Sequence, residues 1–241
     1  MKVSNIGGII RRRILVNYRV APDVIQPLLP PKFLPKLHDG SAIAGVCLIR
    51  LEQVRPKGIP SFLGMSSENA AHRVAVVWQD EHGKPQEGVY IPRRDTNSRF
   101  NQAVGGRFFP GEHHAAKFIV NDDRDRIDFE MISEDQSVLV RVRGKNSSEL
   151  SRDSGFKNIA EASAFFEPGS LGYSATRKGD RLEGLRLRTA QWKISPLQVE
   201  HAHSSFFDDK TKFPPGSVAF DCALIMRDIE HEWQSESDLY I

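Results

Sequence analysis

Residues 42–51 read AIAGVCLIRL, a run in which Arg50 is the single charged residue. A strand with one wet face alternates apolar and polar residues, whereas this run stays apolar at successive positions. We therefore predict a strand that is buried on both of its faces. The turn signal Asp39-Gly40 precedes this strand, and residues 54–64, which are rich in Pro and Gly, are expected to form a loop after it.

Further strand and helix patterns lie on both sides of this run. Strands are predicted at residues 14–20, 71–78, 88–92, 126–132, 137–143, 171–175, 182–187 and 217–232, and another begins near Glu112. Short helices are predicted at residues 24–29, 97–109 and 159–166. The stretch after Pro196 is expected to be helical or irregular, and the residues after Trp233 are expected to fray.

This order of elements predicts a mainly β (α+β) fold with about ten strands and a few short helices. Strands with turn signals at this spacing are typical of barrels or sandwiches. Because long sheets avoid exposed edges by closing, we predict a closed antiparallel β-barrel or cone. No linker, repeat or low-complexity tract divides the sequence, so one domain is expected over residues 1–241.

The composition favours a globular protein with a sizeable core. Hydrophobic residues make up 39% of the chain and charged residues 27%. The net charge of +2 gives no general argument for a nucleic-acid partner. The cluster Arg11-Arg12-Arg13 is interpreted as the solvated start of a strand, with a phosphate or membrane contact as the alternative.

Membrane segments and disulfides are not predicted. No apolar run approaches the ~20 residues that span a bilayer, and the apolar start at residues 9–10 is too short for a signal peptide. We therefore expect a cytoplasmic protein. Cys47 and Cys222 each lie in an apolar context and are predicted to be buried free thiols, without a Cys partner at metal-ligand spacing.

Residues 105–118 read GGRFFPGEHHAAKF and concentrate side chains that can do chemistry. Successive strand residues point to opposite faces, so one of His113 and His114 can enter a cavity while the other faces outward. A histidine beside the carboxylate of Glu112 is a candidate general acid or base near neutral pH. The alternative is a histidine that is hydrogen-bonded at the rim of the fold.

A second group of residues is expected to hold a substrate. Arg94 and Arg107 are candidates to bind a carboxylate with two parallel hydrogen bonds, or else they form structural ion pairs. Tyr90 lies on the strand that leads to Arg94. Glu130 interrupts an apolar strand, and its pKa would be raised if it faced the cavity.

Metals and nucleotide cofactors are not expected. His201 and His203 could share one strand face and bind a metal with Glu200 or Asp208, but a zinc site needs three or four ligands and the pair does not reproduce the helical His-Glu-x-x-His spacing. The alternative is a solvated polar turn. The sequence contains no P-loop, dinucleotide fingerprint or nucleophile elbow.

Several segments together resemble a known family. They are residues 17–20 (NYRV), 28–31 (LLPP), 37–42 (LHDGSA), 54–58 (VRPKG), 88–90 (GVY), 98–99 (SR), 113–117 (HHAAK), 173–174 (YS) and 192–198 (WKISPLQ). This set resembles the YqjF-like family, which is placed with the acetoacetate-decarboxylase-like proteins. The resemblance covers most of the chain.

The resemblance implies an antiparallel β-barrel or cone around an apolar cavity. In acetoacetate decarboxylases a lysine in that cavity forms a Schiff base with a β-keto acid, and a neighbouring lysine lowers its pKa. By position, that lysine pair falls near His113 and His114 here. Histidine cannot form a Schiff base with a ketone, so the imine route is absent unless Lys117 takes over.

Three readings of the function follow from these patterns. The first is a cavity enzyme, lyase-like in its chemistry, that acts on a small oxo acid or carbonyl compound with His113 or His114 as acid or base. The second is a barrel that binds a small ligand without chemistry, and a purely structural domain is a third reading. A homodimer is expected, because sheets with exposed edges often pair.

Overall fold

The computed structural model describes residues 6–99, 102 and 110–241. The strands are β1 Ile6–Val20, β2 Leu34–Pro35, β3 Leu37–His38, β4 Ser41–Pro56, β5 Met65–Gln79, β6 Pro85–Thr96, β7 His113–Asp122, β8 Arg126–Ser133, β9 Leu139–Asn146, β10 Leu171–Ala175, β11 Arg181–Thr189, β12 Ser195–Ser204 and β13 Val218–Tyr240. The α-helices are α1 Pro22–Ile25 and α2 Ile159–Phe166, and three 3-10 helices cover Gln26–Leu28, Ser61–Leu63 and Glu167–Ser170.

The strands pair into one sheet whose order is β11-β10-β6-β7-β8-β9-β12-β13-β1-β4-β5-β2, with β3 beside β4. Two further pairings, β5 with β6 and β11 with β13, join strands that lie far apart on this path. Each of these pairings completes a circuit of neighbouring strands. Both circuits contain the strands β13, β1, β4, β5 and β6. We call these five strands the shared wall. The mainly β fold predicted from the sequence is confirmed.

Two pairings depart from the predicted antiparallel arrangement. Strand β6 runs parallel to β7 and also parallel to β10, whereas the other pairings are antiparallel among the described residues. Parallel neighbours need a long crossover connection rather than a tight hairpin. The chain between β6 and β7, and the chain between β6 and β10, are both long enough to supply it.

The shared wall is buried on both faces because a hydrophobic core lies against each of them. In β4, Ala44, Val46 and Leu48 pack into a first core, and their neighbours Ile43 and Cys47 pack into a second. The first core contains Phe33 and Phe129, and the second contains Phe156, Phe166 and Leu187. Residues 42–49 are all buried, so the predicted two-faced burial of this strand is confirmed.

The arginine cluster near the N-terminus is less solvated than the sequence suggests. Arg11 is partly exposed and pairs with Glu52, whereas Arg12 and Arg13 are 3% and 8% exposed. The Arg12 guanidinium pairs with the buried carboxylate of Glu68 at 2.7 Å. The prediction of a solvated strand start is wrong for Arg12 and Arg13, because β1 is a central strand flanked by β4 and β13.

Other predicted elements differ at the chain's C-terminal end. The stretch after Pro196 is strand β12 rather than helix or irregular structure, and β13 continues past Trp233 to Tyr240. Pairing with β11 extends that last strand, so the predicted fraying is wrong. Most of the predicted helix at residues 97–109 lies outside the described residues. Within the described part, no helix has the length and apolar character needed to cross a membrane.

Candidate functional site

A cavity lies on the face of the shared wall that packs against the second core; we call this the second face. Strands β10 and β11 and the 3-10 helix Glu167–Ser170 cover the cavity. Its volume is about 100 Å³, which exceeds the ~10–15 Å³ that one water requires. Apolar side chains that include Ile91, Leu185 and Leu187 form much of its surface. Its polar lining is Arg13, Cys47, Asn69, Arg73, Arg94, Asp95, His113 and Ser170. The cavity therefore suits a small, partly apolar molecule.

Strand register brings three arginines of the shared wall to one face. Cys47 of β4 lies opposite Ala71 of β5, and Ala71 in turn lies opposite Arg94 of β6. Arg73 follows Ala71 by two residues, and Arg13 precedes the β1 partner of Cys47 by two residues. Since residues two apart on a strand share a face, all three arginines surround Cys47 on the cavity side of the wall.

Two of these arginines are almost fully buried and incompletely hydrogen-bonded. Arg13 donates from Nε to the Cys47 sulfur at 3.3 Å, and its Nη1 has no hydrogen-bond partner among the described residues. Arg73 is 4% exposed, donates from Nη2 to the side-chain oxygen of Asn17, and leaves its Nε without such a partner in the described part of the chain. A buried donor without an acceptor is costly, so both guanidiniums are suited to receive a ligand oxygen.

Arg94 completes the set. It donates from Nε to the Ser174 hydroxyl oxygen at 3.3 Å. Burial lowers the pKa of Arg94 to about 10 and the pKa of Arg73 to about 10, so both remain cations at neutral pH. Within the described residues, none of the three cavity arginines forms an ion pair with a carboxylate. The cavity thus carries positive charge that its own walls do not neutralise.

Of the described residues, Asp95 is the one carboxylate that lines the cavity, and it is already hydrogen-bonded. Both of its oxygens accept hydrogen bonds from Arg93, at 2.9 to 3.1 Å. Burial raises the pKa of Asp95 and the Arg93 hydrogen bonds oppose that rise. Because Arg93 neutralises Asp95, this carboxylate does not offset the charge of the cavity arginines.

His113 lines the cavity, whereas His114 does not. The first residues of β7 pair with the end of β6, where His113 lies opposite Arg94 and His114 lies opposite Asp95. Burial, followed by repulsion from Arg94, lowers the pKa of His113 to about 3. The imidazole of His113 is therefore neutral at physiological pH, and it can polarise a carbonyl or accept a proton only weakly.

Three other predicted site residues lie away from this cavity. Glu112 pairs with the exposed Arg177 at 2.9 Å, and Lys117 is exposed on β7 after that strand has left β6 for β8. Glu130 pairs with Arg141 at 2.7 Å on the outer face of β8, since its neighbours on that strand fill the first core. The structure does not bring these side chains to His113.

Tyr90 and His203 also lie away from the cavity. Tyr90 alternates with the cavity residues of β6, so its ring points into the first core, 6.0 Å from Phe33, and burial raises its pKa. Arg107 lies outside the described residues. His203 pairs with Asp208 at 2.7 Å, and no group of three or more metal-ligating side chains occurs in the part of the chain that the structure describes.

Comparison with known proteins places the sequence in a family. Residues 10–221 match the family model DUF2071, which is described as an uncharacterized conserved protein. The chain belongs to this family. No functionally curated protein matches the DUF2071 chain in sequence.

Solved structures of similar fold are acetoacetate-decarboxylase-like. An acetoacetate decarboxylase-like enzyme from Sphingomonas wittichii RW1 matches with a TM-score of 0.61 at 11% identity, over 100% of this chain and 94% of that one. Acetoacetate decarboxylase from Legionella pneumophila matches at 0.59 with 11% identity, over 98% and 88%. The enduracididine biosynthesis enzyme MppR, complexed with pyruvate, matches at 0.55 with 13% identity, over 98% and 89%. These likenesses show the fold of the DUF2071 chain.

Sequence reasoning missed Arg13, Arg73 and Cys47 in this DUF2071 protein. A signal was present in part, because Arg73 lies inside the predicted strand at residues 71–78, directly before the apolar run VAVVW. A charged residue in a strand that is buried on both faces needs a partner or a ligand. The sequence alone did not show that β5 is buried on both faces. The position of Arg73 could therefore not be interpreted as a ligand site.

Proposed function

We propose that the cavity binds a small carboxylate of the oxo-acid class. The observation that carries this proposal is the convergence of Arg13, Arg73 and Arg94 on one cavity without a carboxylate partner among the described residues. Planar guanidiniums bind carboxylates through two parallel hydrogen bonds, which also fixes the orientation of the ligand. The structural similarity to an enzyme complexed with pyruvate supports the choice of ligand class.

The catalytic form of the proposal uses His113 rather than a lysine. The guanidiniums would hold the carboxylate, and the neutral imidazole of His113 would donate a hydrogen bond to the carbonyl oxygen. Neutral histidines with lowered pKa values perform this electrophilic role in known enzymes. The lining contains no lysine among the described residues, so the Schiff-base chemistry of acetoacetate decarboxylases is disfavoured. A lyase-like reaction without an imine is our expectation.

The alternative is binding without chemistry. It is favoured by the lowered pKa of His113, because an imidazole with a pKa of about 3 is a weak base at neutral pH. The two forms share the same anion site and differ only in turnover. Incubation with a panel of oxo acids, followed by product analysis, separates them once binding has been established.

Isothermal titration calorimetry tests the shared part of the proposal. Pyruvate is the probe, and acetone, which keeps the ketone and lacks the carboxylate, is its neutral counterpart. We expect pyruvate to bind with one site per chain and acetone to give no measurable heat at the same concentrations. Arg94→Gln should weaken pyruvate at least about tenfold, the loss expected for one charge-assisted contact.

Arg177→Gln is the matched control. Its guanidinium pairs with Glu112 and its side chain is 82% exposed, so its removal should leave pyruvate affinity unchanged. The proposal fails if neither pyruvate nor other small oxo acids bind. It also fails if Arg94→Gln binds them as tightly as the unmodified chain does.

We also propose four further features of the molecule, which concern its fold, its domain organisation, its assembly and its location. We propose a closed barrel, supported by the pairings of β5 with β6 and of β11 with β13, and a single domain over residues 1–241. We also propose a homodimer, which native mass spectrometry tests, and a cytoplasmic location, which fractionation tests. A monomeric mass or a membrane-associated fraction would overturn the corresponding proposal.

A further inference from the structure

The cavity contains a sulfur atom as well as the three guanidiniums. Cys47 lies in the middle of the shared wall, and its side chain lines the cavity. The side chain is buried, so the route to its sulfur runs through the cavity rather than from bulk solvent. A small molecule held by the cavity arginines would therefore lie against this thiol.

The groups around Cys47 are cationic and suit a negatively charged ligand. Arg13 donates from Nε to the sulfur at 3.3 Å, and the same guanidinium, on a residue that is 8% exposed, has Nη1 free of any hydrogen-bond partner among the described residues. Burial lowers the pKa of Arg73 and of Arg94, and the Cys47 sulfur partly offsets that effect in both. One arginine thus contacts the sulfur and keeps a donor for a ligand oxygen.

We propose that Cys47 is a nucleophilic site that reacts with small electrophiles carrying a carboxylate, which the cavity arginines orient toward its sulfur. This inference rests on the proposed function, because it uses the same anion site. Thiolates are the reactive form of cysteine, and neighbouring cations favour that form. The electrophile must also be small, since the cavity volume is about 100 Å³.

Two classes of carboxylate-bearing electrophile can react with this thiol, haloacetates and oxo acids. With a haloacetate, a sulfur–carbon bond forms, the carbon–halogen bond breaks, and the halide leaves with the bonding pair while the thiol proton goes to water. With an oxo acid, the sulfur bonds to the carbonyl carbon, the carbonyl π pair moves to oxygen, and the thiol proton ends on that oxygen. The second adduct is a reversible thiohemiketal.

Cys222 supplies an internal control. It is buried in the second core, does not line the cavity, and accepts a long hydrogen bond from Asn17 at 3.6 Å. Burial and the neighbouring Asp221 raise the pKa of the Cys222 thiol. Any reagent that reached thiols through general unfolding would label both cysteines, whereas a reagent guided by the cavity would label Cys47 alone.

The test compares iodoacetate with iodoacetamide on the folded protein, with peptide mass mapping to assign the label. The two reagents differ in charge and deliver similar groups. At Cys47 the ratio of the iodoacetate rate to the iodoacetamide rate should exceed that of N-acetylcysteine at least about tenfold. Pyruvate should slow labelling of Cys47, and Cys222 should remain unlabelled on the same time scale.

Arg13→Met removes the guanidinium beside the sulfur and should bring the rate ratio down toward that of N-acetylcysteine, whereas Arg177→Gln should leave it unchanged. If Arg13→Met does not fold, the ratio in the unmodified protein still decides. The proposal is overturned if that ratio matches N-acetylcysteine, if Cys47 is not labelled, or if Cys222 is labelled as fast. Pyruvate binding to the unmodified protein, measured by calorimetry, separates the two ideas, since binding without labelling of Cys47 refutes the thiol site alone.

Discussion

Arg13, Arg73 and Arg94 hold positive charge inside the molecule, where an unpaired charge is normally expensive. Each guanidinium is only partly compensated. Arg73 lies over the Phe166 ring at 5.2 Å and Arg13 over the Trp192 ring at 5.9 Å, which offsets some of the lost hydration. An anion in the cavity would supply the remaining acceptors, which is why we assign ligand binding to these residues.

The protonation of His113 should respond to that anion. Burial and the Arg94 charge lower its pKa to about 3, so the imidazole should be neutral from pH 5 to 7.5 without ligand. A carboxylate on Arg94 cancels the repulsion, and the pKa of His113 should then rise. Imidazole ¹⁵N chemical shifts, assigned with His113→Gln, measure this, with His114→Gln as control. Titration of free His113 near 6.5, with no response to pyruvate, would contradict the account.

Borohydride trapping tests whether a lysine reacts with oxo acids. Lys117 is exposed on β7 and lies outside the cavity lining, and no lysine of the described part of the chain would meet a carbonyl in the cavity. Mass spectrometry after incubation with pyruvate or acetoacetate and borohydride should show no reduced adduct on any lysine. An adduct at Lys117 would restore the imine mechanism. The acetoacetate decarboxylase from Legionella pneumophila serves as a positive control for trapping.

At the scale of elements, the shared wall depends on close contact between β1 and β4. A Cβ at Gly45 would overlap the backbone carbonyl oxygen of Val16, and backbone cannot move aside as a flexible side chain can. Gly45→Ala should therefore lower the free energy of unfolding by about 3 kcal/mol or more. Urea denaturation measures the change.

Gly40→Ala is the control for that substitution. Gly40 has φ of +75° and open space where a Cβ would lie, so only the backbone conformation is strained. Its cost should be about 1 kcal/mol. If Gly45→Ala is no more destabilising than Gly40→Ala, β1 and β4 are not packed as closely as described.

Elements with strong local signals were predictable from the sequence. Helix α2 was predicted at its observed bounds, Ile159–Phe166, and Asn158 caps it by accepting a hydrogen bond from the Glu161 amide. Strands β8 and β9 show the predicted alternation of buried and exposed residues. Strand β12 and the end of β13 were missed, because their stability comes from pairing with distant strands rather than from local pattern.

The site was only partly predictable for the same reason. Arg94 was named as a possible carboxylate binder after the Tyr90 strand, and His113 as a member of the His-His pair; both line the cavity. Arg13 and Arg73 join them only through the pairing of β1 with β4, β4 with β5 and β5 with β6. That register is set by the tertiary fold, and a one-residue slip would move each side chain to the opposite face.

At the scale of the whole molecule, buried neutral histidines should make stability fall in acid. Burial lowers the pKa of His72 to about 3 and that of His231 to about 4, whereas an unfolded histidine titrates near 6.5. The unfolded chain therefore binds more protons below pH 6.5. Their contribution is complete above that pH and is lost as the pH falls toward 3 to 4.

His72→Gln tests this linkage. Because it removes one group that only the unfolded chain protonates, the slope of unfolding free energy against pH should decrease by up to ~1.4 kcal/mol per pH unit between pH 4 and 6. His82→Gln, in an exposed turn, should leave the slope unchanged. Equal slopes in His72→Gln and the unmodified chain would show that His72 protonates readily in the fold. Urea unfolding at several pH values measures both.

The claim that joins these scales is that the second face of the shared wall holds a carboxylate. A crystal structure of the protein soaked with pyruvate tests it most directly. We predict the pyruvate carboxylate within hydrogen-bond distance of at least two guanidiniums among Arg13, Arg73 and Arg94, with its carbonyl facing His113 and Cys47. Pyruvate bound elsewhere, or a cavity that holds only water at saturating pyruvate, would contradict the account.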